Sequence, residues 1–350
     1  MDISGELINN HIVVKKARDI GRVYSKSHMG KLHSPNRLHL DLLEGVFLLD
    51  EGKMKVTENK KSIDFSQLLR RAVQQIPEFE TKYLVFKDLR NRGQAITFIN
   101  EKTPVSFRKV SQKNEDTPPY GVVTFSERDT LDIDLTRHLI QQFTKKNNAL
   151  WFALVDEEGD LTYYDVSEIN LVGDIPEQRY QKGTCVLLKN RLLVLDKKIA
   201  HQLLQKEFYG KPFGKGLQLS FVEGLYLLRK NILEIQTIEG KMLPQEKCVQ
   251  MMEKLQPDIV KRLIVFEDLK RRGLLVKTGF KFGAHFRAYT KQPDKTHAEY
   301  LIHVVEKGFQ SIWAEISRAV RLAHSVNKEF VFACIDGKTI DYIKLGRLRP

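Results

Sequence analysis

The chain has 350 residues, 42% of them hydrophobic, which is enough for two compact cores of ordinary size. Its net charge of +13 favours a polyanionic partner, with nucleic acid first and an anionic membrane surface second. Three widely spaced cysteines argue against a disulfide framework and a paired-cysteine zinc site, and no apolar run reaches the ~20 residues of a membrane span. Without a secretory signal pattern at its start, the chain is expected in the reducing cytoplasm, away from membranes.

In chain order, the second half gives the clearest pattern of elements. Two short apolar runs, 184–188 and 191–195, predict strands joined by a tight turn at Asn190. A helix is expected to end within 268–273, because basic residues fill its last turn and Gly273 follows them.

A further helix is predicted over roughly 310–327, followed by a strand from Glu329. Its apolar residues recur at the 3.6-residue spacing of a buried helix face, with Arg318 and Arg321 on the opposite face. The predicted buried residues are Ile312, Ile316, Ala319, Val320 and Ala323.

The chain contains one internal duplication. Three pairs of similar segments lie 179 or 180 residues apart: 84–93 (LVFKDLRNRG) with 264–273 (IVFEDLKRRG), 42–49 (LLEGVFLL) with 221–228 (FVEGLYLL), and 151–156 (WFALVD) with 331–336 (VFACID). Three anchors at nearly one shift predict two copies of one mixed α/β (α+β) unit. We place the first copy at 1–173 and the second at 177–350.

Three reactive side chains occur in the second copy only: Tyr289, His297 and Lys328. A phenol, an imidazole and an ammonium group together can move protons and hold a phosphate without a metal. Other residues take their places in the first copy: Asn148 opposite Lys328, Thr117 opposite His297, and Lys109 or Val110 opposite Tyr289, depending on one gap. This asymmetry argues that the three residues do more than pack.

The C-terminal motifs resemble those of the archaeal tRNA-splicing endonuclease family. The resemblance is specific across about 264–329 and extends more weakly over the whole chain through the repeat. The matching segments are 265–273 (VFEDLKRRG), 277–286 (KTGFKFGAHF), 297–303 (HAEYLIH) and 318–328 (RAVRLAHSVNK). One degenerate and one catalytic repeat look like the two-unit form of the family, which works as a homodimer.

This resemblance implies that each unit carries a small N-terminal strand and helix subdomain and a C-terminal nuclease-like α/β subdomain. It implies a precursor tRNA substrate with a bulge-helix-bulge at its exon–intron junctions, and no metal or other cofactor. The implied reaction is attack of a 2′-hydroxyl on its neighbouring phosphorus, which gives a 2′,3′-cyclic phosphate and a 5′-hydroxyl.

By resemblance, Tyr289 is the general base, His297 the general acid and Lys328 the electrostatic stabiliser. Free tyrosine has a pKa of about 10, so a tyrosine base needs cations nearby, and Lys328 or Arg287 could supply them. A histidine, with an ordinary pKa of about 6.5, is well suited to donate a proton.

His303 is the main rival for the role of acid. It shares a strand face with Leu301 and Val305, and an imidazole on an apolar face is more often a packed core group. His285 and His324 could line the site or cap a helix, and they receive no role.

Two arginines are expected to contact RNA. The resemblance implies that Arg321 grips a flipped bulge base, and that an arginine near the C-terminus does the same from the other active site. Arg347 is our choice, with Arg349 close behind, although the chain lacks the tryptophan expected near its end. The alternative for both is ordinary phosphate contact or a solvated face.

An acidic loop in the first copy corresponds to the 336–338 turn of the second. Its acidic residues are Asp156, Glu157, Glu158 and Asp160. The resemblance implies that such a loop docks into a basic surface of a catalytic unit on the other chain. The alternative is a plain solvated hairpin turn, since aspartate and glycine are usual turn residues.

Two other functional classes stay open at this point. The first is a dimeric structured-RNA-binding protein that does not cleave. The second is a metal-dependent nuclease with restriction-enzyme-like architecture, which would need carboxylates clustered on adjacent strands, and no clear Asp…Glu-x-Lys arrangement is visible. No phosphate-binding glycine motif is present, so nucleotide-driven chemistry is not indicated.

Overall fold

A computed structural model of the chain describes residues 2–99, 103–110, 119–292 and 297–350. The chain divides into two compact units, and each is mixed α/β, as predicted. The first unit comprises Met1–Ser167, Gln310–Ile316 and Gly346–Pro350, and the second comprises Glu168–Phe309 and Ser317–Leu345. Two short segments of the second half therefore pack with the first unit. The repeat boundaries at 173 and 177 stay a prediction about the duplication.

The first unit contains two main sheets. Its strands are β1 (Ile3–Ile8), β2 (His11–Val14), β3 (Lys31–Ser34), β4 (Arg37–Leu40), β5 (Met54–Glu58), β6 (Lys61–Ile63), β7 (Ile96–Phe98), β8 (Val105–Lys109), β9 (Tyr120–Ser126), β10 (Thr130–Asp132), β11 (Ala149–Val155) and β12 (Leu161–Glu168). Its helices are α1 (Ala17–Ile20), which a π-helical turn (Gly21–Lys26) continues, α2 (Leu42–Asp50), α3 (Phe65–Gln75), α4 (Phe79–Asn91) and α5 (Ile133–Thr144). The strand orders are β3-β4-β2-β1-β5-β6 and β12-β11-β9-β8-β7.

The second unit repeats this plan. Its strands are β13 (Gly183–Leu187), β14 (Leu192–Val194), β15 (Lys211–Phe213), β16 (Gly216–Leu219), β17 (Leu233–Gln236), β18 (Leu275–Thr278), β19 (Phe286–Tyr289) and β20 (Tyr300–Glu306), then, after β21 (Gln310–Ile312) of the first unit, β22 (Glu329–Asp336) and β23 (Thr339–Leu348). The helices are α6 (Lys197–Glu207), α7 (Phe221–Arg229), α8 (Gln245–Leu255), α9 (Ile259–Arg271) and α10 (Trp313–Ser325), with a 3-10 turn at Phe280–Phe282. The strand orders are β15-β16-β14-β13-β17 and β18-β19-β20-β22-β23.

The duplication is confirmed by a capping motif that occurs in both units. In α2, Asp41 and Glu44 form a reciprocal capping box, and the Glu44 carboxylate also accepts a bond from Gly30 N at 2.8 Å. In α7, Ser220 and Glu223 form the same box, and Glu223 accepts from the amide of Gly210 at 2.9 Å. Each glutamate is buried and ties a helix start to a preceding loop.

A second duplicated contact joins a helix to the last strand of each unit. The Tyr163 hydroxyl donates to Asp88 at 2.8 Å, and the Tyr342 hydroxyl donates to Asp268 at 2.7 Å. An arginine one helical turn after each aspartate completes the cluster. These contacts hold α4 and α9 against their own sheets.

The predicted elements around Asn190 and Gly273 are confirmed. β13 and β14 form an antiparallel hairpin that Leu188 N closes by donating to Arg191 O at 2.9 Å. α9 ends at Arg271, and Gly273 follows with a φ of +77°. A Cβ at Gly273 would lie 2.5 Å from Gly173 O, so the close approach also requires glycine.

The helix predicted over 310–327 is wrong at its start. Residues 310–312 form β21, which pairs antiparallel with β10, and Ile312 is 47% exposed rather than buried. The fully buried Trp313 takes the core position, against Phe125, Phe152 and Tyr164. Pairing with β10 holds residues 310–312 in an extended conformation. The helical periodicity of the sequence did not reveal this pairing.

Across the described residues, no helix has both the length and the apolar character needed to cross a bilayer.

Candidate active site

Three neighbouring strands of the second unit bring the predicted reactive residues to one place. β19 ends at Tyr289, β20 begins soon after His297, and β22 begins directly after Lys328. β19 runs antiparallel to β20, and β20 runs parallel to β22, so all three residues lie at the same end of adjacent strands. The amide of Glu329 donates to the Glu299 carbonyl at 2.8 Å and fixes the start of β22 beside that of β20.

Lys328 is anchored to the segment that carries His297. Its Nζ donates to the carbonyl of Ala298 at 2.9 Å and lies 5.9 Å from the centroid of the Phe282 ring. Partial burial lowers the pKa of the Lys328 ammonium, the positive charge of Arg287 lowers it further, and Glu299 opposes both. The bond to Ala298 thereby holds the Lys328 ammonium at the strand ends, where Arg287 and Glu299 shift its pKa in opposite directions.

Tyr289 packs against the same alanine. It is 8% exposed and forms a small cluster with Leu275 and Ala298. The guanidinium carbon of Arg287 lies 5.9 Å from the Tyr289 ring centroid, close enough for a cation–π contact. Ala298 therefore links two of the three predicted groups, since its side chain packs on Tyr289 and its carbonyl binds Lys328.

His297 directly precedes Ala298 and is exposed. Its main chain is therefore adjacent to the carbonyl that holds Lys328, and its ring is open to solvent and to a substrate. Residues 293–296, which precede it, lie outside the described residues. All three predicted groups thus surround one short segment, 297–299.

Glu299 and Arg287 also belong to the site, and of the two only Arg287 was named from the sequence, as a possible cation for Tyr289. The Glu299 carboxylate accepts from Thr290 N at 2.9 Å and from Thr290 Oγ1 at 2.8 Å, which ties β20 to the end of β19. Arg287 Nε is buried, and it has no hydrogen-bond partner within the described part of the chain. The only sequence signal for Glu299 was its nearness to His297.

The first copy differs at each position that can be compared. Lys328 is opposite Asn148, as expected from the shared strand starts of β22 and β11. Val110 N donates to Ala95 O at 2.7 Å, and Leu275 pairs with Tyr289, so the register matches Tyr289 with Val110 rather than Lys109. Thr117, the expected counterpart of His297, lies outside the described residues.

His303 is placed away from these groups. It pairs with Phe332, three residues further along β22 than Glu329, roughly 10 Å at strand spacing. Its ring stacks on His285 with centroids 4.4 Å apart. His285 Nδ1 accepts from Val304 N, and burial, with the charges of His303 and Arg262 adding to it, lowers the pKa of His285 to about 3. Both imidazoles are half-buried and stack on each other.

Comparisons with known proteins point to one family. The profile of the tRNA intron endonuclease catalytic C-terminal domain matches residues 259–342, and the profile of the N-terminal domain of the same family matches twice, at 3–69 and 183–249. A tRNA-splicing endonuclease of Methanococcoides burtonii is 34% identical, covering 98% of this chain and 99% of its own length. The chain belongs to the tRNA intron endonuclease family. Membership supports an endonuclease activity in the excision of tRNA introns.

Two further relatives illustrate the repeat within this family. A tRNA-splicing endonuclease of Methanosarcina mazei is 29% identical over 94% of each chain. One from Methanococcus maripaludis is 34% identical over 93% of its own length but only 47% of this chain. A relative of about half the length supports the interpretation that the present family member carries two copies of one unit.

The two arginines expected to contact RNA lie in different units. Arg321 is on the exposed face of α10, with Val320 and Ala323 buried beneath it. Arg347 is exposed near the end of β23, in the segment that packs with the first unit. There it lines a recess together with Arg92 and Arg349, so the choice between the two C-terminal arginines stays open.

The acidic loop of this family member is ordered and exposed. Asp156 Oδ1 accepts from the amides of Glu158 and Asp160, at 3.0 and 2.9 Å, and thereby shapes the turn. Glu157 pairs with Arg128. Glu158 and Asp160 direct exposed carboxylates outward and have no side-chain partner among the described residues.

No group of three or more His, Cys, Asp or Glu residues is placed to hold a metal ion in the ranges that the structure describes.

Proposed function

We propose that this endonuclease excises introns from precursor tRNA in the cytoplasm by cutting at bulge-helix-bulge junctions without a metal ion. The observation that supports this most directly is the gathering of Tyr289, His297 and Lys328 around Ala298 at the ends of three strands. A base, an acid and a cation in one place are the groups that RNA cleavage through the 2′-hydroxyl requires.

In the proposed reaction, Tyr289 acts as a phenolate and takes the proton of the 2′-hydroxyl while the 2′-oxygen attacks the adjacent phosphorus. The bond from phosphorus to the 2′-oxygen forms while the bond to the 5′-oxygen breaks, and His297 gives the leaving oxygen its proton. Lys328 stabilises the negative charge that develops on the phosphoryl oxygens. The products are a 2′,3′-cyclic phosphate and a 5′-hydroxyl, and a 2′-hydroxyl is required at the cut site.

The side-chain environment supports these roles. The guanidinium carbon of Arg287 lies 5.9 Å from the centroid of the Tyr289 ring, close enough for a cation–π contact beside the proposed base. His297 is exposed and directly precedes Ala298, whereas His303 is half-buried and stacks on His285.

We further propose that the protein works as a homodimer with two active sites. Glu158 and Asp160 of one chain are suited to dock on a basic surface of the second unit of the other chain, because both are exposed in a turn that Asp156 already stabilises. Arg321 and Arg347 are proposed to hold bulge bases from opposite active sites of this dimer.

The decisive experiment uses end-labelled RNA in which two bulges flank a short helix, in excess EDTA. We expect cleavage at both bulges with cyclic-phosphate ends, and a loss of roughly 10²–10⁴-fold in rate for His297→Ala. His201→Ala, an exposed histidine of α6, is the matched control. Tight binding without cleavage would support the non-catalytic RNA-binding alternative, and cleavage that EDTA abolishes would support the metal-dependent one.

A further inference from the structure

A single aromatic ring projects into solvent beside the candidate active site. Phe280 is 88% exposed, more than any other large hydrophobic side chain among the described residues. A scattered exposed hydrophobic residue is ordinary on a protein surface. Phe280 differs because of how its turn is built and where the turn lies.

The turn that carries Phe280 is rigid. Gly279 N donates to His285 O at 3.0 Å, Phe282 N donates to Gly279 O at 2.7 Å, and Gly283 N donates to Phe280 O at 3.1 Å. A Cβ at Gly279 would lie 2.8 Å from the carbonyl oxygen of Ala284, and Gly283 has a φ of +66°. The glycines thus permit a tight turn with the phenyl ring at its tip, so the hydrogen-bonded backbone of the turn has little conformational entropy to lose when a ligand contacts the ring.

The same turn adjoins the phosphate-binding cation of the proposed site. The ring of Phe282, two residues after Phe280, lies 5.9 Å from Lys328 Nζ. Lys281 Nζ lies 6.0 Å from the centroid of the same ring. The turn that contacts Lys328 through Phe282 therefore also carries the exposed ring of Phe280 and a second lysine, Lys281.

We propose that Phe280 is the platform on which an unpaired base of the RNA substrate stacks, next to the phosphate that is cut. This inference rests on the proposed function, since it places the stacked base beside Lys328. Unpaired bases in bulges can leave the helix and stack on aromatic side chains, whatever their identity, because every base has a π-face. Phe280 would then position the bulge without reading its sequence, while Lys281 contacts the backbone.

The test separates stacking from cleavage by using the full chain with His297→Ala, which is expected to bind without cutting. RNA with two bulges carries 2-aminopurine at one unpaired position at a time. We expect fluorescence quenching at one bulge position with Phe280 and with Phe280→Trp. Phe280→Leu should lose this quenching and raise the dissociation constant roughly ten- to a hundredfold, because leucine keeps apolar area but cannot stack.

Phe213→Leu is the matched control, because Phe213 is 56% exposed in β15 of the same unit. It should leave both readouts unchanged. Since Phe280 contributes almost nothing to the core, the thermal unfolding of Phe280→Leu should match that of the parent protein.

Unchanged quenching and affinity in Phe280→Leu would overturn the inference. So would a loss of dimer in sedimentation with unaltered affinity per dimer, because the ring would then be a contact between protein copies. If the parent protein fails to cut the RNA in EDTA while quenching at Phe280 persists, the proposed reaction fails but the stacking platform stands. If the parent protein cuts the RNA in EDTA but shows no Phe280-dependent quenching, the proposed reaction stands and the stacking platform fails.

Discussion

The two copies of the unit keep the same structural contacts but differ at the ends of the central strands. The buried glutamate that caps a helix and the tyrosine that bonds a helical aspartate are present in both. Where β19 and β22 place Tyr289 and Lys328, the first copy has Val110 and Asn148. The fold therefore forms without the reactive groups, and their presence in one copy is best explained by chemistry.

The largest expected difference between the two copies concerns Lys328 and its counterpart Asn148. We expect Lys328→Ala to lower the cleavage rate roughly 10²–10³-fold, because it removes the preorganised positive charge that stabilises the phosphoryl oxygens. Asn148→Ala, at the equivalent position of the first copy, should cut at the parental rate. Single-turnover cleavage at saturating enzyme measures the chemical step.

Equal losses in the two variants would mean that this position supports the fold in both copies. Circular dichroism and thermal unfolding of both proteins provide the check, because Lys328→Ala also removes the bond to the Ala298 carbonyl.

The duplicated tyrosines offer a comparison of stability. Tyr342→Phe should lower the free energy of unfolding by about 1.5–3 kcal/mol, because it removes a hydrogen bond to a charged, buried carboxylate. Tyr163→Phe should cost less, since the side chain of Asp88 is 22% exposed whereas that of Asp268 is 6% exposed. Urea denaturation of both variants measures the difference, and a larger loss for Tyr163→Phe would contradict the burial argument.

The acidic loop after β11 tests the proposed dimer. Glu158→Lys with Asp160→Lys should weaken dimerisation roughly tenfold, because two exposed carboxylates of the acidic loop become cations. Asp156 is left intact, since its carboxylate shapes the turn. Glu78→Lys with Glu80→Lys makes the same charge change elsewhere in the first unit, and it should sediment like the parent. An unchanged dimer in the loop variant would refute the docking.

Local patterns of the sequence predicted much of this architecture. The hairpin around Asn190, the end of α9 and the start of β22 follow from turn residues, a C-terminal glycine and an apolar run, all of which act through near neighbours. The duplication was visible because matching segments share one shift. The resemblance named the reactive groups, and the register then matched Tyr289 with Val110.

Features set by distant contacts could not be predicted in this way. Ile312 has helical spacing to its neighbours, yet pairing with β10 makes its segment a strand. The carbonyl of Ala298 that holds Lys328, and the carboxylate of Glu299 that binds Thr290, depend on which strands are adjacent. Side-chain periodicity carries no information on such backbone partners, so this part of the site required the structure.

The smallest predicted effect concerns the two capping glutamates, whose charged neighbours differ. Burial raises the pKa of Glu44. Burial acts the same way on Glu223, but Lys277, with Nζ at 3.2 Å, and the amide donors outweigh it and lower the pKa of Glu223. Residue 97, the counterpart of Lys277 at the 180-residue shift, is a threonine. The pKa of the capping glutamate is thus shifted in opposite directions in the two copies.

A lowered folded-state pKa means that Glu223 contributes stability above its usual value of 4.5, and this contribution is lost as the pH falls through the folded pKa. A raised pKa has the opposite effect on stability, so Glu44 favours the folded first unit on acidification.

Between about pH 6 and pH 3 the second unit should therefore lose stability before the first. Trp151 and Trp313 both belong to the first unit, so their fluorescence should change at lower pH than the far-ultraviolet circular dichroism of the whole chain. Lys277→Thr should reduce the stability of the second unit at neutral pH and make its remaining loss on acidification smaller, because the buried Glu223 carboxylate then lacks its ion pair. Coincident transitions in the parent protein would show that the ion pair with Lys277 does not control the acid response.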